Sequence, residues 1–331
     1  MPVATATRKR SFSPFNFQAP LAAGGVTLMA FNWMRVTVPH GEGALALADI
    51  QWTGITAVQT GLYGVLIGIM LVLTLVNLVL TGVFSFDLVR WLAGRRGYQE
   101  FMRGPTTRIT GAFVPIASLS MTMAVVFATA PFFFPAVSAN LQALMTPGLV
   151  LFAAFWLTSF AIEARMFKAW LDRPVDTSAL NFVWLLDVFA FGLVGLAGTG
   201  LAATANAPTI ASIAAFMSLV AVGFGTLLLA GKLILLLHVQ LKAHSLPEHQ
   251  LQPAFFLLVP ITCLYGISYY KILVYLQKWF EIDVTVPSYF LITPLYGVAM
   301  TWAAFTVYLL GDYFKNYFRN SEYFPTQWAM V

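Results

Sequence analysis

The chain has 331 residues, of which 59% are hydrophobic and 9% are charged, whereas a soluble domain carries about 25% charged residues. So few charged side chains exclude a mainly soluble fold and predict an integral membrane protein whose surface contacts the lipid bilayer. The basic residues behind the net charge of +5 are scattered along the chain, and Cys263 is the single cysteine, so no nucleic-acid partner and no Cys-rich metal site is expected.

About eight apolar segments are long enough to cross a membrane as helices. They predict an all-α fold, with a cytoplasmic N-terminal segment 1–19, a transmembrane domain 20–316, and a segment 317–331 that is either a tail or the start of an incomplete ninth helix. No motif for catalysis, a cofactor or a metal is found. The predicted spans, in chain order, are 20–38, 54–83, 109–130, 144–167, 180–203, 210–238, 254–276 and 288–313.

The basic residues gather on one side of these spans. The opposite side keeps only Arg35 and Lys278, and Lys271 lies inside or near the seventh span. Because cytoplasmic loops are enriched in Lys and Arg, this asymmetry predicts a cytoplasmic N-terminus and a multi-pass protein of the inner (plasma) membrane. The residues on the cytoplasmic side are Arg8, Lys9, Arg10, Arg90, Arg95, Arg96, Arg103, Arg108, Arg165, Lys168, Arg173, Lys242, Lys315 and Arg319.

Short apolar motifs recur in the odd-numbered spans. The third span reads AFVPIASLSMT and the seventh FLLVPITCLYGIS; VWLLDVFAFGL in the fifth and FQAPLAAGGVTLM in the first align with them. The alignment stacks Pro20, Pro115, Asp187 and Pro260 at one position, with separations of 95, 72 and 73 residues. It predicts four helical-hairpin repeats of about 72 residues each.

Proline in a span leaves a backbone carbonyl that lipid cannot satisfy, so these positions are expected to face protein or a wet cavity. The odd-numbered helices are therefore predicted to surround a central pore, with Pro20, Gly24, Pro115, Asp187 and Pro260 at pore-lining or kink positions. Glycines in the first and fifth spans fit either tight helix packing or a lumen lined by small groups. They are Gly24, Gly25, Gly192, Gly195 and Gly198.

Asp187 is the strongest candidate for a functional residue, because a charged side chain inside a membrane is energetically unfavourable. It is expected to point into the bundle. There it acts in proton or charge coupling together with Lys232, or it is a structural partner of Lys232 or Arg108, or it stays protonated. Glu163 lies near a cytoplasmic end and is interpreted as an interfacial anchor, as is Asp312.

The stretches PLAAGGVTLMAFNW, RITGAFVPIASL and HVQLKAHSLPEHQLQPAFFLLVPITCLYGISYY resemble the tellurite-resistance/dicarboxylate transporter family. This family includes TehA-type channels, plant slow anion channels, and fungal malate and sulfite transporters. The resemblance covers nearly the whole chain. It implies five helical hairpins with proline-kinked odd helices around a central pore, a homotrimer, and non-enzymatic movement of small anions such as chloride, nitrate, sulfite or a C4-dicarboxylate.

Two features depart from the family pattern. Family pores are largely uncharged and are gated by a phenylalanine on the ninth helix, whereas here an anionic Asp187 at a repeat position would oppose anions. The repeat spacing also places a fifth repeat position near residue 333, beyond Val331, and SEYFPTQWAMV resembles the entry to a ninth helix. This predicts a form without the fifth hairpin and a poor channel, arising by truncation, a frameshift or a stop codon decoded as selenocysteine.

An alternative function of a different class is a quinol-binding membrane anchor subunit of an oxidoreductase, in which Asp187 or a nearby group would accept protons. Such an anchor needs a quinone pocket and a docking face, whereas the hairpin symmetry favours transport. A nonfunctional fragment is the third alternative.

Overall fold

A computed structural model describes residues 12–41, 43–94, 96–172, 180–318 and 324–330. This part of the chain is helical and holds no β-strand. The basic residues Arg8, Lys9, Arg10, Arg95, Arg173 and Arg319 lie outside the described residues. The long helices are α1 (Gln18–Thr37), α2 (Ala57–Ala93), α3 (Val114–Phe133), α4 (Met145–Asp172), α5 (Leu186–Thr204), α6 (Pro208–Ala243), α7 (Leu258–Phe280) and α8 (Thr285–Leu309).

Among the described residues, seven helices, α2 to α8, are long and apolar enough to cross a membrane. The prediction of a multi-pass helical membrane protein is thereby confirmed. The helix α1 has 20 residues but is less apolar, because Asn32 and Arg35 lie in its second half. The first predicted span, 20–38, and with it the total of eight spans, therefore stays a prediction.

The helices α2, α4 and α6 run further than their apolar segments. The helix α2 begins after Thr56, whose hydroxyl accepts a hydrogen bond from the Gln59 backbone N–H at 3.2 Å, and it continues past the predicted residue 83 to Ala93. Its last turns are amphipathic and include Arg90. Apolarity marks the part of a helix that crosses lipid, whereas the backbone hydrogen bonds continue into the polar interface, so the helix extends beyond the predicted span.

The long helices form an inner row and an outer layer. The helix α5 packs on α3 and α7, and α3 packs on α1, so the odd-numbered helices form one continuous row. In the most apolar 18 residues of each span, 89% are buried for α5 and 67% for α3, against 17% for α2 and 11% for α8. The even-numbered helices thus carry most of the surface available to lipid.

A 3-10 helix leads directly into each odd-numbered helix. Such tight turns are common at helix ends, where the first N–H groups have no α-helical partner. Another 3-10 helix, Pro325–Met330, packs on the one before α7 and on α1. The four leading 3-10 helices are Pro14–Phe17, Thr110–Phe113, Phe182–Leu185 and Gln252–Leu257.

The predicted repeat position falls in the first turn of each odd-numbered helix. Pro115 and Asp187 are the second residues of α3 and α5, and Pro20 and Pro260 are the third residues of α1 and α7. A proline is tolerated there because its missing N–H would have had no intrahelical acceptor. These residues thus mark the starts of the α-helices, and their placement at kink or pore-lining positions stays a prediction.

The glycines of α1 and α5 are placed in helix contacts. A Cβ on Gly24 would lie 2.6 Å from Met121 Cγ of α3 and 3.0 Å from Asn77 Nδ2 of α2. Gly192, Gly195 and Gly198 similarly face side chains of α4, α6 and α7. Of the two alternatives for these four glycines, the geometry corresponds to tight packing.

Candidate functional site

A cavity of about 250 Å³ lies where the odd-numbered helices begin. The chain at or just before each of the later odd-numbered helices contributes a polar side chain: Arg108, Asn181 and Gln250. Phe15 comes from the turn before α1, and residues 324–326 complete the wall, where the Thr326 hydroxyl donates a hydrogen bond to the Gln250 carbonyl. The starts of all four odd-numbered helices therefore border one cavity, lined by a cation and, among the described residues, by no carboxylate.

Towards the other end of the bundle, Lys271 of α7 lies beside α5. Its ammonium is so close to the α5 backbone that a Cβ on Gly200 would lie 3.4 Å from Nζ. It is also near enough to the Arg35 guanidinium of α1 for the two cations to repel each other. Lys271 is partly buried and Arg35 is exposed. In the part of the chain that the structure describes, neither residue forms a salt bridge, so Lys271 is a cation in the bundle without a carboxylate partner.

A second charged group lies between the inner row and the outer layer. The Lys232 ammonium of α6 forms an ion pair with the Asp187 carboxylate of α5, and both side chains are buried. Lys232 also donates a hydrogen bond to the Trp184 carbonyl at 3.0 Å, and its Nζ lies 4.5 Å from the Trp184 ring centroid and 5.1 Å from that of Trp170. The ion pair and these contacts replace the water that Lys232 would otherwise bind.

Asp187 is held by its own helix as well. Its Oδ1 accepts a hydrogen bond from the Val188 backbone N–H at 2.6 Å, in the first turn of α5. A carboxylate is stabilised at a helix N-terminus because the unpaired N–H groups there carry partial positive charge. Asp187 therefore has a cation and a backbone donor, and its negative charge is largely neutralised within the protein.

Glu163 of α4 is buried beside this pair, with 1% of its surface exposed. Neither of its carboxylate oxygens has a hydrogen-bond partner among the described residues, and it interacts electrostatically with Asp187 and Lys232. The prediction of an interfacial anchor was wrong. Glu163 lies near the end of the span, as predicted, but its side chain points towards α5 and α6 instead of towards the membrane surface.

The other predicted site residues lie apart from the ion pair. Pro20 and Pro115 are buried and Pro260 is partly buried, all near the cavity end of the bundle. The Pro20 carbonyl accepts a hydrogen bond at 2.7 Å from the Asn77 side-chain amide, so a polar side chain of α2 satisfies the backbone near this proline. Asp187 pairs with Lys232 and not with Arg108, which borders the cavity.

Two charged residues were missed by the sequence reasoning, although spacing carries a signal for each. Along α4, the buried residues Phe152, Ser159, Glu163 and Met166 recur at intervals of seven, four and three, which is one helix face. Lys271 likewise shares a face of α7 with the buried residues Leu264, Ser268 and Tyr275. Glu163 and Lys271 therefore lie on the helix faces that pack against α5.

Comparisons with protein-family models, with curated proteins and with solved structures give no match to this chain. The resemblance to the tellurite-resistance/dicarboxylate transporter family therefore stays a prediction from the sequence motifs.

Proposed function

We propose that this chain transports small anions across the inner membrane. In this proposal α1 is the eighth span, the N-terminus is cytoplasmic, and the chain is organised as four helical hairpins whose odd-numbered helices line the path of the anion. The substrates expected from the family resemblance are chloride, nitrate, sulfite or a C4-dicarboxylate. Assembly into a homotrimer is proposed on that resemblance alone.

The observation that carries the proposal is the unpaired cation of Lys271 on the inner face of the row. A partly buried ammonium without a carboxylate is unfavourable unless a counter-charge approaches it. A small anion passing between α1, α5 and α7 supplies that charge, and Arg35 adds a second cation at the same end. At the opposite end of the bundle, the cavity lined by Arg108 offers the anion an entry that is also positively charged.

The ion pair of Asp187 and Lys232 removes one objection to anion transport. A free carboxylate at a repeat position would repel anions strongly in a medium of low dielectric constant. Because Lys232 lies against this carboxylate on the side of α6, the pair presents little net charge to the row of odd-numbered helices. Anions therefore meet cations at both ends, and the Asp187–Lys232 pair adds little net charge between them.

The test is anion flux into proteoliposomes that contain the purified protein. Chloride, nitrate, sulfite and malate are each offered, and the rates are compared with those of protein-free liposomes. We expect flux of at least one of them, reduced on the order of tenfold by Lys271→Gln, which corresponds to about 1.4 kcal/mol. The matched control is Lys242→Gln, an exposed lysine in the last turn of α6 that should leave the rate unchanged.

Absence of flux for all four anions, with folded protein in the membrane, would contradict the proposal. The quinol-anchor alternative is tested on the same preparation by titrating a quinone and following tryptophan fluorescence. Saturable quinone binding without anion flux would favour the anchor over the transporter.

A further inference from the structure

We infer that Glu163 is a proton-binding site, in which one buried carboxyl group takes up and releases a proton beside the Asp187–Lys232 ion pair. The ligand is the proton itself: uptake converts the carboxylate to a neutral carboxylic acid, and release restores the charge. The inference stands on burial, on hydrogen-bond partners and on the number of charges that the three helices bring together.

The cluster holds two carboxyl groups and one ammonium group. Asp187 has a cation and a backbone donor, whereas both oxygens of Glu163 lack a partner. With both carboxylates ionised, the cluster carries one uncompensated negative charge away from water, which is unfavourable in a medium of low dielectric constant. One proton neutralises the cluster, and it binds to the carboxylate that nothing else stabilises.

Within the part of the chain that the structure describes, the surroundings of Glu163 offer no second cation. The charged side chains that interact with Glu163 are Asp187 of α5 and Lys232 of α6. The helix α3 and the Thr110–Phe113 turn, which also pack on α4, contain no charged residue. On α4 itself, Arg165 and Lys168 are exposed and point away from the buried stripe.

Two further buried donors lie at this cluster. Among the described residues, the indole Nε1 atoms of Trp170 and Trp184 have no hydrogen-bond partner, and both rings lie over the Lys232 ammonium. Unpaired buried polar atoms are uncommon in folded proteins, and a functional role is one of the reasons for which they are retained. The coincidence of two free N–H donors and a free carboxyl group around one lysine favours a site that alternates between charge states over a purely structural ion pair.

The first test is infrared difference spectroscopy of the purified protein in lipid while the pH is raised from about 5 to about 9, a range above the ordinary titration of Glu. We expect a carbonyl band of a protonated carboxylic acid that decreases as the pH rises and is absent in Glu163→Gln. The matched control is Asp172→Asn, an exposed carboxylate on the same helix, which should keep the band. A spectrum in which Glu163→Gln removes no carboxylic-acid band would overturn the inference.

Thermal unfolding provides a second measurement that does not depend on transport. Because deprotonation leaves a buried uncompensated charge, the unfolding temperature of the unchanged protein should fall as the pH rises through this range. Glu163→Gln keeps the shape of the side chain without the titrating proton, so its unfolding temperature should vary less with pH. An equal pH dependence in both proteins would contradict a titrating Glu163.

Coupling of this proton to anion movement rests on the proposed function. If both hold, raising the pH changes the flux of the unchanged protein, and Glu163→Gln removes this dependence. A carboxylic-acid band without any flux would leave the proton site standing and overturn the transport proposal. Flux without a carboxylic-acid band would leave the transport proposal standing and overturn the proton site.

Discussion

Lys232 and Asp187 are 45 positions apart in the sequence, yet their side chains form an ion pair inside the helical bundle. The pair joins α6 to the first turn of α5, the most buried helix of the row. Each residue is less than 5% exposed. The pair therefore allows two charges to remain within the membrane domain without facing lipid.

Replacement of Asp187 by asparagine should destabilise the bundle. It leaves Lys232 buried without its counter-charge, and breaking a buried ion pair in this way costs about 3–5 kcal/mol. The measurement is the thermal unfolding temperature in detergent. Combining Asp187→Asn with Lys232→Met should recover most of the loss, because no charge then remains unpaired.

The control for the ion pair is Asp312→Asn, which removes an exposed aspartate of the short helix Gly311–Asn316 and should leave the unfolding temperature unchanged. An Asp187→Asn protein as stable as the unchanged one would show that Trp184 and Trp170 alone can hold the Lys232 charge.

Substitution by alanine should destabilise the protein at Gly24 but not at Gly25. At Gly24 the new Cβ would meet Met121 Cγ at 2.6 Å, so α1 would have to move away from α3, at about 1–3 kcal/mol. At Gly25 the nearest atom is Met121 Cε at 4.0 Å, and alanine should be neutral or stabilising because it favours the helix. Unfolding temperatures of the two variants check this, and equal values would show that α1 does not approach α3 closely at Gly24.

Gly225 of α6 gives room to the Tyr265 hydroxyl, which donates a hydrogen bond to the Val188 carbonyl at 2.8 Å. A Cβ at Gly225 would lie 1.9 Å from that hydroxyl oxygen, so Gly225→Ala should displace Tyr265 and cost about 2 kcal/mol. Gly223→Ala is the control, since nothing lies within 4 Å of its Cβ. Adding Tyr265→Phe to Gly225→Ala should restore part of the unfolding temperature, and a strictly additive double variant would contradict the contact.

Arg35→Gln should lower anion flux less than Lys271→Gln does. Arg35 is exposed, so water and salt screen its charge, whereas Lys271 is partly buried. We expect the effect of Arg35→Gln to shrink when the ionic strength is raised with an impermeant salt and the effect of Lys271→Gln to persist. Equal salt dependence of the two variants in the flux assay would place both cations in the same exposed setting.

The repeat position shows how far sequence reasoning reached. The alignment of Pro20, Pro115, Asp187 and Pro260 identified equivalent places in four helices, and all four lie in a first turn. Their interpretation as kinks stays a prediction, because the α-helices begin at these residues while the apolar segments already begin in the 3-10 turns before them. The 3-10 turns before these residues contain aromatic and proline residues, which also occur within membrane spans.

The charged residues were harder to assign. Asp187 could be expected to face the interior, because a lone carboxylate facing lipid would cost about 2.5–3.5 kcal/mol on insertion scales. The choice between Lys232 and Arg108 as its partner required the packing of α5 on α6. Glu163 was misjudged because distance from a helix end says how deep a residue lies, whereas its environment depends on which way its face of the helix points.

The sequence by itself determined the helical membrane character and the positions of the long helices, because about 20 consecutive apolar residues suffice for a span and that property is local. It also determined which residues would be costly in lipid. Only the tertiary structure decided which of them meet: Asp187 with Lys232 and Glu163, and Lys271 with Arg35. Contacts between different helices depend on the order and rotation of the helices within the bundle. Lipid-facing apolar sequence does not fix these, because lipid tails are as apolar as the side chains and the free energy differs little among many arrangements.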